Sequence, residues 1–367
     1  MMAALAAAAL TSCSESELID VSDSKAIGFE TYIGKATTKG TPVNGQKFTN
    51  GATIKVWGFY SDAQMTTDYA TAAIPVPNLE GATITLEDGN WKYSPQAYWK
   101  DQKAHTFFAC APAAADPILT NGVFEYTVKE KVAEQVDFMV AEALKNSVWD
   151  ESVTANPAKQ VFAFRHALSQ IKFSVGLTEV AADDASDVKI KSVKIEPLKK
   201  DNDNLTVGFY TTGKLNVVGR TAGAGVWAWT DLTKTYTGGY LVESAAGVDL
   251  PNTAAASTSE YKPVHDGTDG VLMLLPQTTE GNVRFTVTLT YKALKETGEP
   301  TKEASVMINT ASAQTWDVNK IYHYKLGVSM PKALDQKAIE FTDENMTIEP
   351  WDTTETETAF EMPKSNA

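Results

Sequence analysis

The chain has 367 residues, with 46 acidic against 32 basic side chains and a net charge of −14. That balance, with no basic patch interleaved with aromatics, disfavours nucleic acid as a partner. Apolar residues make up 43% and aromatics 10%, enough to build a core in each of the two domains expected at this length.

The run Met2 to Leu10 is nearly all Ala and Leu. A membrane span needs about 20 apolar residues, so this run is too short to be one. Its length suits the apolar region of an export signal, and small residues directly before a Cys suit a processing site. The order Leu10-Thr11-Ser12-Cys13 resembles a bacterial lipobox, in which the Cys is diacylated and becomes the new N-terminus. The polar, acidic "SESE" that follows argues against an Ala-rich core helix. Residues 1–12 are therefore read as a signal peptide and Cys13 as the lipidation site. No later stretch approaches the length of a membrane helix, so the lipid is the expected membrane attachment.

Beyond Cys13 the dominant periodicity is two. In "IGFETYI", Ile27, Phe29, Thr31 and Ile33 share one face, with Gly28, Glu30 and Tyr32 opposite. Further strands are predicted at Ala52 to Tyr60, His105 to Pro112, Val123 to Val128 and Val136 to Ala143. Phe162 to Leu177, Val188 to Leu198 and Lys214 to Gly219 follow. Gly270 to Gln277, Val283 to Ala293, Glu303 to Asn309 and Lys320 to Met330 complete the set. Val, Ile, Thr, Phe and Tyr fill them, while Gly, Pro, Asn and Asp punctuate them. Short helices are expected only around Ala181 to Ser186 and Asp335 to Glu340. Many short strands with Thr/Ala/Asn-rich connections indicate antiparallel sandwiches. The polar loop Asn146 to Gln160, with Pro157, is the expected domain boundary, and Ser244 to Thr268 reads as a surface loop. At the far end, "TETETAFEM" alternates again: Thr354, Thr356, Thr358, Phe360 and Met362 share a face, with Glu355, Glu357 and Glu361 opposite.

Chemistry-bearing residues are few. The four His (His105, His166, His265, His323) have no second His or Cys at ligand spacing, so no metal or other cofactor is expected. His166 and His323 read as sheet residues. There is no nucleophile elbow and no phosphate-cradling loop, and nothing argues for an enzyme. Cys110, in an apolar strand, reads as a buried, unreactive thiol. The eight Trp hint at glycan stacking, although Trp57, Trp91, Trp99 and Trp316 sit in or beside strands, where core packing is commoner.

Five stretches together resemble the fimbrillin family, the subunits of type V pili of Bacteroides-like bacteria. They are "NWKYSPQAYWKDQKAHTFFACAP" (Asn90 to Pro112), "FRHALSQIKFSV" (Phe164 to Val175), "LLPQT" (Leu274 to Thr278), "TWDVNKIYHYKLGV" (Thr315 to Val328) and "IEPWD" (Ile348 to Asp352). The resemblance implies an all-β chain of two tandem transthyretin-like antiparallel β-sandwiches. It also implies lipoprotein export to the outer membrane and assembly into a fimbrium at the cell surface. In polymerising members a protease removes an N-terminal strand after a basic residue, and the groove then receives a strand from the next subunit. The matching place here is "ATTKGTP", with Lys39 before Gly40, where Lys in place of Arg points to a broad trypsin-like protease.

The expected organisation follows. It comprises a signal peptide 1–12, a segment 13–39 carrying the removable strand, sandwiches 40–158 and 159–352, and a tail 353–367 as the candidate donor strand. The expected function is that of a structural, adhesive pilus subunit. Expected partners are other copies, other pilus subunits, a maturation protease, the outer membrane through lipid on Cys13, and a host or bacterial surface receptor. The alternatives are a monomeric surface lipoprotein that binds glycans, or a pilus tip or anchor subunit.

Overall fold

Alternating apolar segments bounded by Gly, Asn and Asp become strands throughout the computed structural model. It describes residues 25–33, 47–65, 73–153, 156, 159–198, 208–218, 227–251, 260–264, 271–335, 339–341 and 346–350. Cys13, Lys39, Gly40 and the tail positions Thr354, Thr356, Thr358, Phe360 and Met362 lie outside the described residues. Asp88-Gly89 and Asn121-Gly122 close two tight hairpins with positive φ at both central residues, the geometry that matches the twist of antiparallel strands.

The fold is all-β, and among the described residues the strands form four sheets. The first runs, in spatial order, Phe29–Ile33, Gln160–His166, Met139–Ala141, Ala104–Ala111, Thr53–Ser61, Ile74–Glu87 and Asn90–Lys92. Leu144–Val148 also pairs with Ala104–Ala111. The second contains Trp229–Tyr236, Phe209–Asn216, Val123–Thr127 and Ile118–Thr120. The third runs Tyr240–Asp249, Ala185–Pro197, Gln277–Ala293, Thr301–Trp316 and Ile339–Phe341. The fourth runs Lys262–Pro263, Ser169–Glu179, Lys320–Ser329 and Met346–Pro350, with Leu272–Leu274 also on Ser169–Glu179.

Two buried cores result, and neighbouring strands of the first sheet serve both. Ala104–Ala111 is buried at every position. Phe107, Ala109 and Ala111 enter the first core, while Phe108 and Cys110 enter the second. A strand covered on both faces reads as an unbroken apolar run, which is what Phe107 to Ala111 is. Its neighbour Thr53–Ser61 divides likewise: Ile54 and Val56 face the first core, and Trp57 and Phe59 pack against the second. Burial pushes the Cys110 thiol up and keeps it protonated.

The second sheet fastens the two halves of the chain together. Val123–Thr127 pairs antiparallel with Phe209–Asn216, and Phe124, fully buried, sits edge-on to Trp57 with ring centroids 5.5 Å apart. Tyr126 stacks on Phe138 at 4.3 Å. The second core then continues between the third and fourth sheets, where Phe285 lies 5.7 Å from Phe173 and 4.9 Å from Tyr324. A buried polar chain crosses it. The Trp316 indole N–H donates to the Tyr324 hydroxyl at 2.9 Å, which donates to Gln314 Oε1 at 3.0 Å, so no partner there is stranded.

Several expectations are corrected. Phe162 to Leu177 is two strands in two different sheets, Gln160–His166 antiparallel to Met139–Ala141 and Ser169–Glu179 parallel to Lys320–Ser329. The chain changes sheet at Ala167 and Leu168, both fully buried. The loop Asn146 to Gln160 does not separate sheets, because Leu144–Val148 before it and Gln160–His166 after it belong to the same one. Residues 182–184 form a turn rather than a helix, and a strand starts at Ala185. The single α-helix among the described residues is Met330–Leu334, set by the Ser329 cap, whose hydroxyl accepts from the Lys332 N–H, and by Pro331 in the first turn. The expected loop from Ser244 starts inside the strand Tyr240–Asp249.

Because one core spans both halves, Phe124→Ala should cost about 3–5 kcal/mol, the range for emptying a buried Phe site. Calorimetry should show one transition, lowered as a whole. Two separate transitions, only one of them shifted, would show that the halves unfold independently.

Candidate functional site

The segment Lys25 to Ile33 closes the first core. Phe29–Ile33 is an edge strand, parallel to Gln160–His166, with Phe29 opposite Gln160 and Ile33 opposite Phe164. It is the only parallel pairing in this sheet among the described residues. Just before it, the backbone bonds in another direction. The Trp99 N–H donates to the Lys25 carbonyl at 3.0 Å, and the Ile27 N–H donates to the Ala97 carbonyl at 2.9 Å. The partner changes at Gly28, whose carbonyl accepts from the Gln160 N–H at 2.9 Å.

At this change of partner the Ile27 carbonyl is gripped by two side chains. The Tyr93 hydroxyl donates to it at 2.7 Å and the Gln96 amide at 2.9 Å. Gln96 Nε2 also donates to the Tyr93 oxygen at 2.8 Å, so the two donors hold one another in place. Sequence reasoning assigned neither residue a role. Their only local signal is a phenol and an amide flanking the Ser-Pro of "YSPQ", which does not reveal which carbonyl they face.

Each inward side chain has its own seat. Ile27 is fully buried. Phe29 stacks on Phe162 at 5.6 Å, stands edge-on to Phe107 and lies tilted against Tyr93, the last two each at 5.9 Å. Thr31 Oγ1 accepts from the Trp91 indole N–H at 3.0 Å. Ile33 packs on the same core, where Phe48 sits edge-on to Trp91 and Phe164. Trp91 belongs to Asn90–Lys92, the other end of the sheet order, so the N-terminal strand joins the two ends of the sheet around the core. Ile27, Phe29, Thr31 and Ile33 thus converge on one core. Tyr32, expected on the open face, is itself buried, and burial raises its hydroxyl to about 12 against the opposing pull of Arg165.

Charges at the rim add little. Lys25 pairs with Glu151 and lies 5.2 Å from the Trp149 ring, and Lys159 meets Glu30 at 3.0 Å. Pairs as exposed as these contribute about 0–1 kcal/mol.

His105 supports the wall of this seat. Its Nδ1–H donates to the Lys103 carbonyl at 2.9 Å, and its Nε2 accepts from the Lys100 N–H at 3.1 Å. The second bond needs the neutral ring, because a protonated Nε2 cannot accept. Trp99 stands edge-on to it at 4.7 Å. Burial lowers the His105 pKa below 6.5, against the raising effect of its bond to Lys103. Of the other histidines, His265 lies outside the described residues, His166 Nδ1 meets Asp137 at 2.8 Å and His323 Nε2 meets the Ser174 hydroxyl at 2.7 Å. Among the described residues no group of three His, Cys, Asp or Glu could hold a metal ion.

Comparison with known proteins adds the following. The sequence profile described as "Fimbrillin-like" matches residues 37–351. A crystal structure of a fimbrial protein from Bacteroides vulgatus superposes with a TM-score of 0.54 at 15% identity, covering 89% of this chain and 99% of that one. A candidate cell adhesion protein from Bacteroides uniformis gives 0.42 at 15% identity over 89% and 97% of the two chains. One from Bacteroides ovatus gives 0.42 at 14% over 89% and 95%. The first of these shares the fold. No curated protein sequence matches.

The His105 geometry has a pH consequence. A base whose folded pKa lies below its unfolded value gives stability that is complete above about 6.5 and is lost as pH falls toward the folded pKa. His105→Gln removes this titration. The stability difference between parent and variant, from urea midpoints, should therefore shrink between pH 7.5 and 5. A difference that stays constant with pH would show that His105 is not buried neutral.

Proposed function

Since this chain belongs to the fimbrillin-like family, we propose that it is a structural subunit of a cell-surface filament, joined to its neighbours by exchange of the strand Phe29–Ile33. Family membership makes it a structural protein rather than an enzyme. The observation that carries the exchange is the strand's place at the sheet edge with Ile27 and Phe29 in the core. Burial of such a side chain is worth about 1.5–3 kcal/mol each, so a chain that has lost the segment exposes a groove with a strong preference for refilling. Strand addition supplies both the backbone bonds and the inward side chains.

In this reading Cys13 is diacylated and carries the exported precursor to the outer membrane. A protease then cuts between Lys39 and Gly40, and Ile27, Phe29, Thr31 and Ile33 leave with the segment. The tail of the next subunit, with Thr354, Thr356, Thr358, Phe360 and Met362 inward, fills the groove. Two transthyretin-like sandwiches make up the subunit, and the chain passes from one to the other at Ala167–Leu168. Its partners are copies of itself, other pilus subunits, the protease and a surface receptor. The glycan-binding alternative loses support because Trp99, Trp149, Trp227 and Trp316 are buried and so not presented for stacking.

Mass spectrometry of filaments from the cell surface should find Gly40 at the N-terminus, and chains beginning only at Cys13 would point to an anchor instead. Deleting the residues after Asp352 should leave a folded, exported monomer that no longer polymerises after cleavage. Filaments of normal length and stability from that truncated chain would place the link elsewhere.

A further inference from the structure

We propose that the tail enters the groove reversed, with residues 356–362 of a second copy antiparallel to Gln160–His166, where the chain's own strand lies parallel. This rests on the strand-exchange reading above and adds to it the direction and seating of the incoming strand.

The argument is chemical fit at three seats two residues apart. The seat of Ile27 is fully buried and takes an aliphatic side chain. That of Phe29, ringed by Phe162, Phe107 and Tyr93, takes an aromatic. That of Thr31 presents the Trp91 N–H and needs an oxygen acceptor. The tail's inward face holds one aromatic, Phe360, with Thr358 on one side and Met362 on the other.

With Phe360 in the aromatic seat, only two placements exist. Run forward, Thr358 carries its hydroxyl into the closed aliphatic seat, and Met362 leaves the Trp91 N–H without an oxygen. Run in reverse, Met362 fills the aliphatic seat, which its flexible thioether chain suits, and Thr358 accepts from Trp91. The forward placement strands two polar groups that the reverse one satisfies, and each is worth about a factor of ten in affinity. Reversal also makes every pairing in this sheet antiparallel. Parallel pairing is slightly the less stable per residue, so the exchange gains a direction as well as a partner.

Two independent readouts test this in the full chain, cut after Lys39 so that Cys13 is removed with the segment. The first mixes chains carrying Tyr98→Cys with chains carrying a tail cysteine. Tyr98 is exposed and opposite Ala26, outside the core, so the variant keeps the fold. A reversed tail brings residue 363 to that point, and a forward tail brings residue 357. Pro363→Cys should cross-link to Tyr98→Cys on oxidation, and Glu357→Cys should not. The opposite pattern overturns the proposal.

The second readout is Thr358→Val, which in the reversed tail removes Trp91's acceptor and should speed subunit dissociation about tenfold. Slower dissociation is the forward result and overturns the proposal, as does no change. Filaments that form normally without either cross-link put some other strand in the groove. Failure of the cut parent chain to form filaments overturns the strand-exchange reading itself.

Discussion

The structure depends on one strand being dry on both sides. Ala104–Ala111 contributes Phe107, Ala109 and Ala111 to one core and Phe108 and Cys110 to the other, so the cores share a wall one sheet thick. Close packing on both faces leaves that wall little room to shift, since interiors pack at near-crystalline density. The four-stranded sheet that joins Val123–Thr127 to Phe209–Asn216 covers the second face of this wall and makes the two halves one body. The halves are therefore packing partners, not beads on a linker.

The first face of the wall is closed differently. Its last cover is a short edge segment, and that segment meets both ends of the sheet: Gln160–His166 by backbone pairing and Asn90–Lys92 through the Trp91–Thr31 bond. Most of its grip is apolar or comes from main-chain groups, with two side chains, Tyr93 and Gln96, added at one carbonyl. A seat built this way fixes a strand's path and the kind of side chain at each inward position. Among the described residues the strand is held by a backbone ladder on one edge, whereas a core strand is held by its neighbours on both.

How much of this was legible in the sequence depended on what each signal measures. Alternation measures which face is buried, so Ile27 and Phe29 stood out, and the continuous run at "HTFFACAP" marked a strand. Alternation carries no information on the partner. Hence "FRHALSQIKFSV" read as one strand although Phe164 pairs with Ala141 and Ile171 with Leu272 and Tyr322. Strands with mixed surfaces, such as Ile74–Glu87 with its exposed Ile74, were passed over because their apolar residues are scattered. Alternation sets Tyr32 opposite Ile27 and Phe29, yet Tyr32 is buried too, which a period of two cannot show. The helix lies before the expected Asp335 to Glu340, because the Ser329 cap and Pro331 set its start, and Ile339–Phe341 is a strand. Tyr93 and Gln96 lay inside a stretch that carried the family resemblance, yet only coordinates show that both point at the Ile27 carbonyl.

The two terminal strands of the described chain lie at the edges of different sheets: Phe29–Ile33 in the first, and Met346–Pro350 on Lys320–Ser329 in the fourth. This separation fixes the symmetry of any assembly that links the tail to the groove. The same patch cannot serve both partners, so each contact is heterologous, and it either closes a ring, of which a reciprocally swapped dimer is the smallest, or runs on as an open filament. Each added molecule leaves one acceptor and one donor unused. Growth then stops only where the accumulated rotation closes a ring or where a molecule lacking one of the two ends is added. Length is thus set by supply and by terminators, not by the geometry of the contact.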